Sequence, residues 1–218
     1  MIKTVIFDMD GVIVDTEPVH KYAYFEHYKE LNIPVTEELF ATFTGQSTKN
    51  VYQILKDKFD LKADVKDLVL RKRAIFNEAF DTKPDLYLID GVENLIKNLY
   101  NNGIELILAS SASKSTIDRV FKRFELNQYF THKVSGENFP KSKPDPAIFI
   151  HAADLAKSNH EECIVIEDST NGVEAAVRAN LYCLGYKSEN SKKQKLDKAN
   201  SIVDDFNVID AAFIKELK

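Results

Sequence analysis

Three short apolar runs, each ending in oxygen-bearing side chains, limit the possible folds of this chain more than any other feature. The runs cover residues 2–7, 104–109 and 163–166. They are rich in valine and isoleucine and lack strict alternation, which is typical of strands buried on both faces of a parallel sheet. The side chains that follow the three runs are Asp8 and Asp10, Ser110 and Ser111, and Glu167 and Asp168.

The segments between these runs have the apolar spacing of helices. Residues 92–100, 117–124 and 146–156 repeat apolar side chains three and four positions apart. Gly103 can end the first helix, Ser113 or Ser115 can cap the second, and Pro146 can open the third. Strands that alternate with helices indicate a parallel α/β sheet, and residues 201–203 could add a short strand to it.

Residues 16–83 interrupt this alternation with four predicted helices. Pro18 suits the first turn of one helix, Thr36 and Ser47 are cap candidates for the next two, and Asp64 precedes a fourth. We therefore expect a Rossmann-like parallel sheet flanked by helices, built from residues 1–15 and 84–218. We expect residues 16–83 to form an inserted four-helix cap domain, which could serve as a lid over the strand ends.

The three polar clusters should meet, because ligands of open parallel sheets bind at the carboxyl ends of the strands. Carboxylates gathered at such a place repel one another unless a cation lies among them, and an all-oxygen cluster favours magnesium. Asp8 could attack phosphorus to form an aspartyl phosphate, and Asp10 could protonate the leaving oxygen and then activate water. The alternative for this pair is an acid-rich turn after a strand.

Lysine and serine side chains supply candidate phosphate contacts. Lys143, in the sequence Lys-Ser-Lys-Pro-Asp-Pro, could neutralise phosphate oxygens and Asp8, although Lys141 is a rival on chemistry alone. The hydroxyl of Ser110 could donate to phosphate, with a helix cap as its alternative role. Glu167 and Asp168 could hold the metal, with a strand-end turn as the alternative.

Composition and charge indicate which partners and which cellular location to expect. The formal net charge of -5 argues weakly against a nucleic-acid backbone as partner. No apolar stretch approaches membrane-spanning length, and the first residues reach Asp8 too soon for a signal peptide. Cys163 and Cys183 lie in apolar runs, as buried reduced thiols do. We expect a cytoplasmic protein, without nucleic-acid or membrane partners and monomeric, whose lysine-rich stretch 187–198 is a solvated loop.

Four motifs in chain order resemble those of the haloacid dehalogenase-like hydrolases with a helical cap inserted after the first strand. They are residues 7–11 (Phe-Asp-Met-Asp-Gly), 108–111 (Leu-Ala-Ser-Ser), 143–146 (Lys-Pro-Asp-Pro) and 166–169 (Ile-Glu-Asp-Ser). Residues 171–176 resemble the stretch after the fourth motif, and residues 15–18 and 91–92 resemble the cap hinges. The resemblance covers nearly the whole chain.

This resemblance implies roles for individual residues. Asp8 is expected to be the nucleophile and Asp10 the general acid and base. Ser110 is expected to bind the transferring phosphoryl group, and Lys143 rather than Lys141 to balance its charge. The resemblance also implies Mg²⁺ as cofactor, held by Asp8, the backbone carbonyl of Asp10, and Asp168, with Glu167 bound directly or through water. Dehalogenating members lack an aspartate at the position of Asp10.

The closest resemblance within the family is to sugar-phosphate phosphatases and beta-phosphoglucomutase. It predicts substrate contacts from Thr16, His20, Gly45, Gln46, Ser47, Thr48, Lys72 and Ser111. Thr48 stands where the mutase is expected to have an arginine for the distal phosphate, a contact that Arg71, Lys72 or Arg73 could still supply. We therefore expect hydrolysis of a small phosphorylated metabolite. The alternatives are intramolecular phosphoryl transfer and, third, a binding module without catalysis.

Overall fold

The computed structural model describes residues 1–43, 48–82, 86–188 and 194–217. The chain divides into two compact units, one formed by Met1–Asp15 with Tyr87–Lys218 and the other by Thr16–Leu86. The predicted boundary after residue 83 falls among residues 83–85, which lie outside the described part. Gly45, Gln46 and Ser47 also lie outside it, and so do residues 189–193 of the lysine-rich stretch.

The smaller unit contains four helices in its described residues. They are α1 (Glu17–Glu30), α2 (Glu37–Ala41), α3 (Thr48–Phe59) and α4 (Val65–Thr82). Thr36 caps α2 by accepting a hydrogen bond from the Leu39 amide at 3.2 Å, as its sequence position predicts. Helix α4 packs against α1 and α3. Their shared core contains the rings of Tyr24, Tyr28 and Tyr52.

The larger unit is built on a six-stranded parallel sheet. Its strands are β1 (Thr4–Phe7), β2 (Glu105–Ser110), β3 (His132–Ser135), β4 (Cys163–Glu167), β5 (Tyr182–Tyr186) and β6 (Ser201–Val203). Their order is β3-β2-β1-β4-β5-β6, and every neighbouring pair is parallel. The expected α/β fold with a Rossmann-like parallel sheet is confirmed, although the sequence patterns do not indicate β3 or β5.

In the described part of the larger unit, five further α-helices flank this sheet. They are α5 (Val92–Asn101), α6 (Lys114–Arg123), α7 (Ala147–Leu155), α8 (Thr170–Arg178) and α9 (Ala211–Glu216). Of the two cap candidates for α6, Ser113 is the cap, since its hydroxyl accepts from the Thr116 amide at 3.2 Å. Gly103 follows α5 with a φ of 72°, a left-handed conformation that glycine adopts readily.

Alternate residues of the strands face opposite layers of the larger unit. Ile6, Ile107 and Val165 share a buried cluster with side chains of α7 and α8. Phe7 points to the other side, where its ring meets Phe130 edge-on at 5.8 Å. The apolar strands are thus covered on both faces, as their unbroken apolar sequences predict.

Two further expectations from composition can be compared with the structure. Cys163 and Cys183 are both buried and free of disulfide bonds, as predicted. Among the helices of the four described ranges, none combines the length and the apolar character that crossing a membrane requires.

Candidate active site

The register of the sheet brings the ends of three strands to one level. Phe7 pairs with Leu108 on one side and with Ile166 on the other. Asp8, the residue that follows β1, donates its backbone amide to the Ile166 carbonyl at 3.0 Å. Asp8 therefore lies between the ends of β2 and β4, as the strand-end argument predicts.

The ammonium group of Lys143 connects these strand ends. It donates to Oδ1 of Asp8 at 2.5 Å, to Oε1 of Glu167 at 2.9 Å and to the carbonyl of Ala109 at 3.2 Å. The Lys143 side chain is only 6% exposed, and its Nζ lies 4.5 Å from the centre of the Phe149 ring. Lys141 is exposed. Of the two lysines that the sequence offers, Lys143 is thus the one beside Asp8.

The carboxylates of the site repel one another. Burial, opposed by Lys143 but reinforced by the charges of Glu167 and Asp10, raises the pKa of Asp8 to about 7. Burial, together with Glu167, Asp8 and Asp10, raises the pKa of Asp168 to about 9. Lys143 has a raised pKa, because Asp8 and Glu167 attract its charge more strongly than burial disfavours it. Four carboxylates therefore interact around one ammonium group.

The excess of negative charge around Asp8 and Asp168 is consistent with a bound cation. A hard ion such as magnesium prefers all-oxygen donors, which Asp8, Asp10 and Asp168 supply, and its charge would favour their ionised forms. Within residues 1–43, 48–82, 86–188 and 194–217, no three carboxylate, imidazole or thiol side chains already stand as a ready ligand set. The fit therefore rests on donor chemistry and charge.

Glu167 has both of its carboxylate oxygens in hydrogen bonds. Oε1 accepts from Lys143, while Oε2 accepts from the Ser169 amide at 2.7 Å and the Ser169 hydroxyl at 2.9 Å. The Ser169 hydroxyl also accepts from the Gly172 amide at 3.0 Å and so caps α8. These bonds fix Glu167 against Lys143. Ser169 and Gly172 lie in the sequence motifs but receive no role there, because their contacts with Glu167 are visible only in the folded chain.

Two glycines make room for the acidic pair. A Cβ at Gly172 would lie 1.7 Å from Oε1 of Glu167, and a Cβ at Gly11 would lie 2.1 Å from Oδ2 of Asp168. Gly11 also has a φ of 84°. Any side chain at either position must displace a carboxylate, so both glycines have a role that a turn preference alone does not explain.

We predict that Gly172→Ala displaces Glu167 from Lys143 and lowers kcat/KM at least about tenfold, with a loss of about 1–3 kcal/mol in unfolding free energy from overpacking. Steady-state kinetics and denaturant unfolding measure both effects. Asn171→Ala, at the exposed preceding position, is the control and should change neither. Wild-type kinetics in Gly172→Ala would show that Glu167 need not be held in this place.

Ser110 lies at the end of β2 with its hydroxyl already oriented. The residue is 1% exposed, and its Oγ accepts a hydrogen bond from the Ala112 amide at 3.0 Å. Because Oγ accepts this bond, the hydroxyl proton of Ser110 is available for another acceptor. Ser111, by contrast, is exposed.

In the smaller unit, half-buried His20 and buried Lys72 form a pair. Lys72 is 3% exposed, and its Nζ lies 2.6 Å from Nδ1 of His20. Burial, and next the charge of Lys72, hold the pKa of His20 well below its usual range. An ammonium group can only donate, so Nδ1 accepts and the neutral ring carries its proton on Nε2. Thr16 is buried in the same unit.

The low pKa of His20 predicts a loss of stability in acid. Below about pH 6.5 the unfolded chain binds a proton at His20 that the folded chain does not, so the unfolding free energy falls as the pH falls. Denaturant unfolding between pH 8 and pH 5 should show this fall, and His20→Gln should reduce its slope by up to about 1.4 kcal/mol per pH unit. His27 also has a lowered pKa, chiefly through burial, so some slope will remain. An unchanged slope in His20→Gln would contradict the assignment.

Two residues considered for contact with a distal phosphate, Thr48 and Arg71, have partners within the smaller unit. Thr48, which replaces the arginine expected in a mutase, bonds to the phenol of Tyr24. The guanidinium of Arg71 donates through Nε to Oε2 of Glu30 at 2.8 Å and through a second nitrogen to Oε1. Arg71 is therefore paired with a carboxylate, which weakens its case as a phosphate ligand.

Comparison with known proteins places this site in a family. The family model for haloacid dehalogenase-like hydrolases matches residues 5–186. The chain belongs to this family. It is therefore an enzyme of the haloacid dehalogenase-like class, and the resemblance inferred from its four motifs is confirmed.

The named relatives include a phosphatase and a mutase. The chain is 31% identical over 183 residues to a phosphorylated carbohydrates phosphatase of Thermotoga maritima, covering 82% of each protein. It is 28% identical over 189 residues to beta-phosphoglucomutase of Bacillus subtilis, covering 84% of this chain and 82% of that protein. The crystal structure of beta-phosphoglucomutase from Clostridium difficile matches with a TM-score of 0.80 and 26% identity, covering 100% of this chain and 97% of the other.

Proposed function

We propose that this protein is a magnesium-dependent phosphatase that hydrolyses a small phosphorylated metabolite, a sugar phosphate by preference, through an aspartyl phosphate on Asp8. The observation that carries the proposal is the buried contact of Asp8 with Lys143 at the end of β1, beside Glu167. This contact fixes the cation of Lys143 next to the proposed nucleophile, Asp8. The similarity to a phosphatase of phosphorylated carbohydrates supports the substrate class.

In the proposed first step, a carboxylate oxygen of Asp8 attacks phosphorus while the bond from phosphorus to the leaving oxygen breaks. Asp10 gives that oxygen its proton, so the product alcohol leaves neutral. The Ser110 hydroxyl holds a phosphoryl oxygen throughout, and Lys143 stabilises the charge that develops on the phosphoryl group. Water then attacks the aspartyl phosphate and gives its proton to Asp10, which restores both carboxyl groups.

Magnesium, held by Asp8, the carbonyl of Asp10, and Asp168, would supply electrostatic stabilisation of the phosphoryl oxygens. Glu167, bonded to Lys143 and Ser169, is better placed to orient the lysine than to bind the ion by itself. Removal of divalent ions with a chelator should stop turnover, and added magnesium should restore it. Full activity in excess chelator would contradict the proposed cofactor.

The smaller unit is proposed to be the cap that selects the substrate. Its candidate contacts are Thr16, His20, Thr48 and Lys72, with Gly45, Gln46 and Ser47 in the part that the structure does not describe. The neutral His20 would present its Nε2 proton to a substrate oxygen. Ser111 is the corresponding candidate in the larger unit. The enzyme is proposed to act as a cytoplasmic monomer without nucleic-acid or membrane partners.

Intramolecular phosphoryl transfer is the second candidate, and similarity to beta-phosphoglucomutases favours it. Such a reaction needs a contact with a second phosphate. Thr48 carries no charge and Arg71 is paired with Glu30, which leaves Lys72 and Arg73 as the candidates for that contact. We therefore place hydrolysis first.

A panel of phosphorylated metabolites with magnesium tests the proposed function. We expect release of inorganic phosphate from one or more sugar phosphates. Beta-glucose 1-phosphate, assayed for both glucose 6-phosphate and free phosphate, separates the two candidates. Conversion to glucose 6-phosphate without phosphate release would establish the mutase, and inactivity throughout the panel would reject both.

Asp10→Asn should lower kcat by about 10²–10⁴-fold, because the amide can neither protonate the leaving oxygen nor accept a proton from water. The loss should be smaller for substrates with good leaving groups, such as aryl phosphates, in the step that forms the aspartyl phosphate. Comparing kcat for a sugar phosphate and an aryl phosphate measures this difference. A wild-type kcat for the sugar phosphate would exclude Asp10 as the acid and base.

A further inference from the structure

The turn that follows β3 contacts the loop that follows β2 at three successive places. The Ser135 hydroxyl donates to the Ala112 carbonyl at 2.8 Å, and the Glu137 carboxylate accepts from the Lys114 amide at 3.0 Å. Between them, Gly136 packs so closely that a Cβ there would lie 2.9 Å from the Cα of Ser111. Three consecutive residues, 135–137, thus each contact one position of residues 111–114.

The first of these contacts continues directly to Ser110. Ala112, whose carbonyl accepts from Ser135, donates its own amide to Oγ of Ser110 at 3.0 Å. Ser110 and Ser135 are also partners in the β2–β3 register, and both are buried. The Ser135 hydroxyl therefore holds Ala112, and Ala112 in turn orients the Ser110 hydroxyl. Ser135 thus acts on Ser110 through Ala112.

The same stretch of chain also holds the residue before Ser110. Lys143, eight positions after Ser135, donates to the Ala109 carbonyl at 3.2 Å while it contacts Asp8. Residues 135–143, here named the brace, therefore fix the strand end on both sides of Ser110. They also tie that hydroxyl to the lysine that faces the nucleophile.

We propose that Ser135 is a positioning residue for phosphoryl binding, and that the brace keeps the Ser110 hydroxyl in register with Lys143. This inference rests on the proposed phosphatase function and deepens it. Donors fixed in advance bind phosphoryl oxygens without a reorganisation cost, and small misplacements of such groups are expensive. The ligands concerned are a phosphomonoester and its product, inorganic phosphate, which present the same oxygens to Ser110.

Ser135→Ala tests the proposal through the binding of inorganic phosphate. We expect its inhibition constant, and the KM for the substrate, to rise about tenfold while kcat changes less than about threefold, since Ser110 holds the phosphoryl group in ground and transition states alike. Ser135→Thr, which retains a hydroxyl, should recover most of the affinity. A general loss of stability would not raise KM while leaving kcat nearly unchanged. It would also not be expected to be reversed by the hydroxyl of Ser135→Thr.

Thr131→Val is the matched control. Thr131 precedes the same strand, and its hydroxyl also donates to a backbone carbonyl, that of Leu106 at 3.2 Å, and to Glu105 at 2.9 Å, but at the opposite end of β3. Its removal should lower stability without changing phosphate inhibition. If Ser135→Ala does not fold, exposed Glu137 provides a second test. Glu137→Ala should raise the inhibition constant about threefold, and Glu137→Gln, which keeps an acceptor oxygen, less than about twofold.

The outcomes separate this inference from the function on which it rests. A wild-type inhibition constant in Ser135→Ala, or an equal rise in Thr131→Val, would overturn the positioning role while leaving the phosphatase intact. A wild-type protein that neither hydrolyses phosphomonoesters nor binds inorganic phosphate would overturn both.

Discussion

Asp8→Asn is expected to reduce turnover of every phosphomonoester substrate to less than about one thousandth of the wild-type rate. The amide has almost the size of the carboxylate but cannot form the bond to phosphorus. Because the pKa of Asp8 is already raised to about 7, removal of its charge should cost the folded state little. Lys143 keeps Glu167 as a charged partner.

Initial rates and thermal unfolding should be measured together on this variant. We expect a melting temperature within a few degrees of the wild type, which would separate loss of the nucleophile from loss of the fold. Asp154→Asn is a suitable control, since that carboxylate is exposed and lies outside the site. Substantial turnover by Asp8→Asn would mean that water, not Asp8, attacks phosphorus.

Lys143→Ala is expected to affect both activity and stability. It leaves Asp8 and Glu167 buried next to each other without their shared cation, and breaking such a buried pair costs about 3–5 kcal/mol. The lost stabilisation of phosphoryl charge should lower kcat/KM by about 10²–10³-fold. Denaturant unfolding and kinetics at saturating magnesium measure the two effects.

Lys141→Ala provides the matched comparison for Lys143→Ala. The two lysines are separated by one residue, but Lys141 is exposed. We expect the Lys141 variant to keep its activity within about twofold and its unfolding free energy within about 0.5 kcal/mol. A larger catalytic loss in Lys141→Ala than in Lys143→Ala would reverse the assignment.

This lysine pair also shows how far sequence reasoning reaches. Chemistry alone leaves Lys141 and Lys143 equivalent, and only the resemblance to a family prefers one. The structure places Lys143 beside Asp8, because the chain turns after β3 and brings the Lys143 side chain to the end of β2, at the Ala109 carbonyl. A choice between neighbouring lysines depends on this path, which local sequence patterns do not contain.

The strands show the same limit. The sequence indicates β1, β2 and β4, because their unbroken apolar runs are buried on both faces. β3 has four residues and begins with the polar His132 and Lys133 at the sheet edge, and β5 contains Gly185. β3 lacks the continuous apolar or alternating pattern that predicts a strand, and Gly185 interrupts the apolar run around Cys183.

The strand-end clusters were predictable, but the residues that hold them in place were not. Oxygen-bearing residues after apolar runs predict Asp8, Ser110 and Glu167 at one edge of the sheet. The contacts of Ser169 and Gly172 with Glu167 depend on how α8 begins after β4. Such contacts have no sequence periodicity, so they emerge only from the fold.

Detection of a covalent phosphoryl enzyme tests nucleophilic attack by Asp8 most directly. Wild-type protein mixed with a radiolabelled substrate and magnesium, then quenched in acid within milliseconds, should carry label on the peptide that contains Asp8. Hydroxylamine should release that label, because an acyl phosphate is labile to it. Product phosphate formed with no labelled protein at any quench time, or label on another residue, would contradict nucleophilic attack by Asp8.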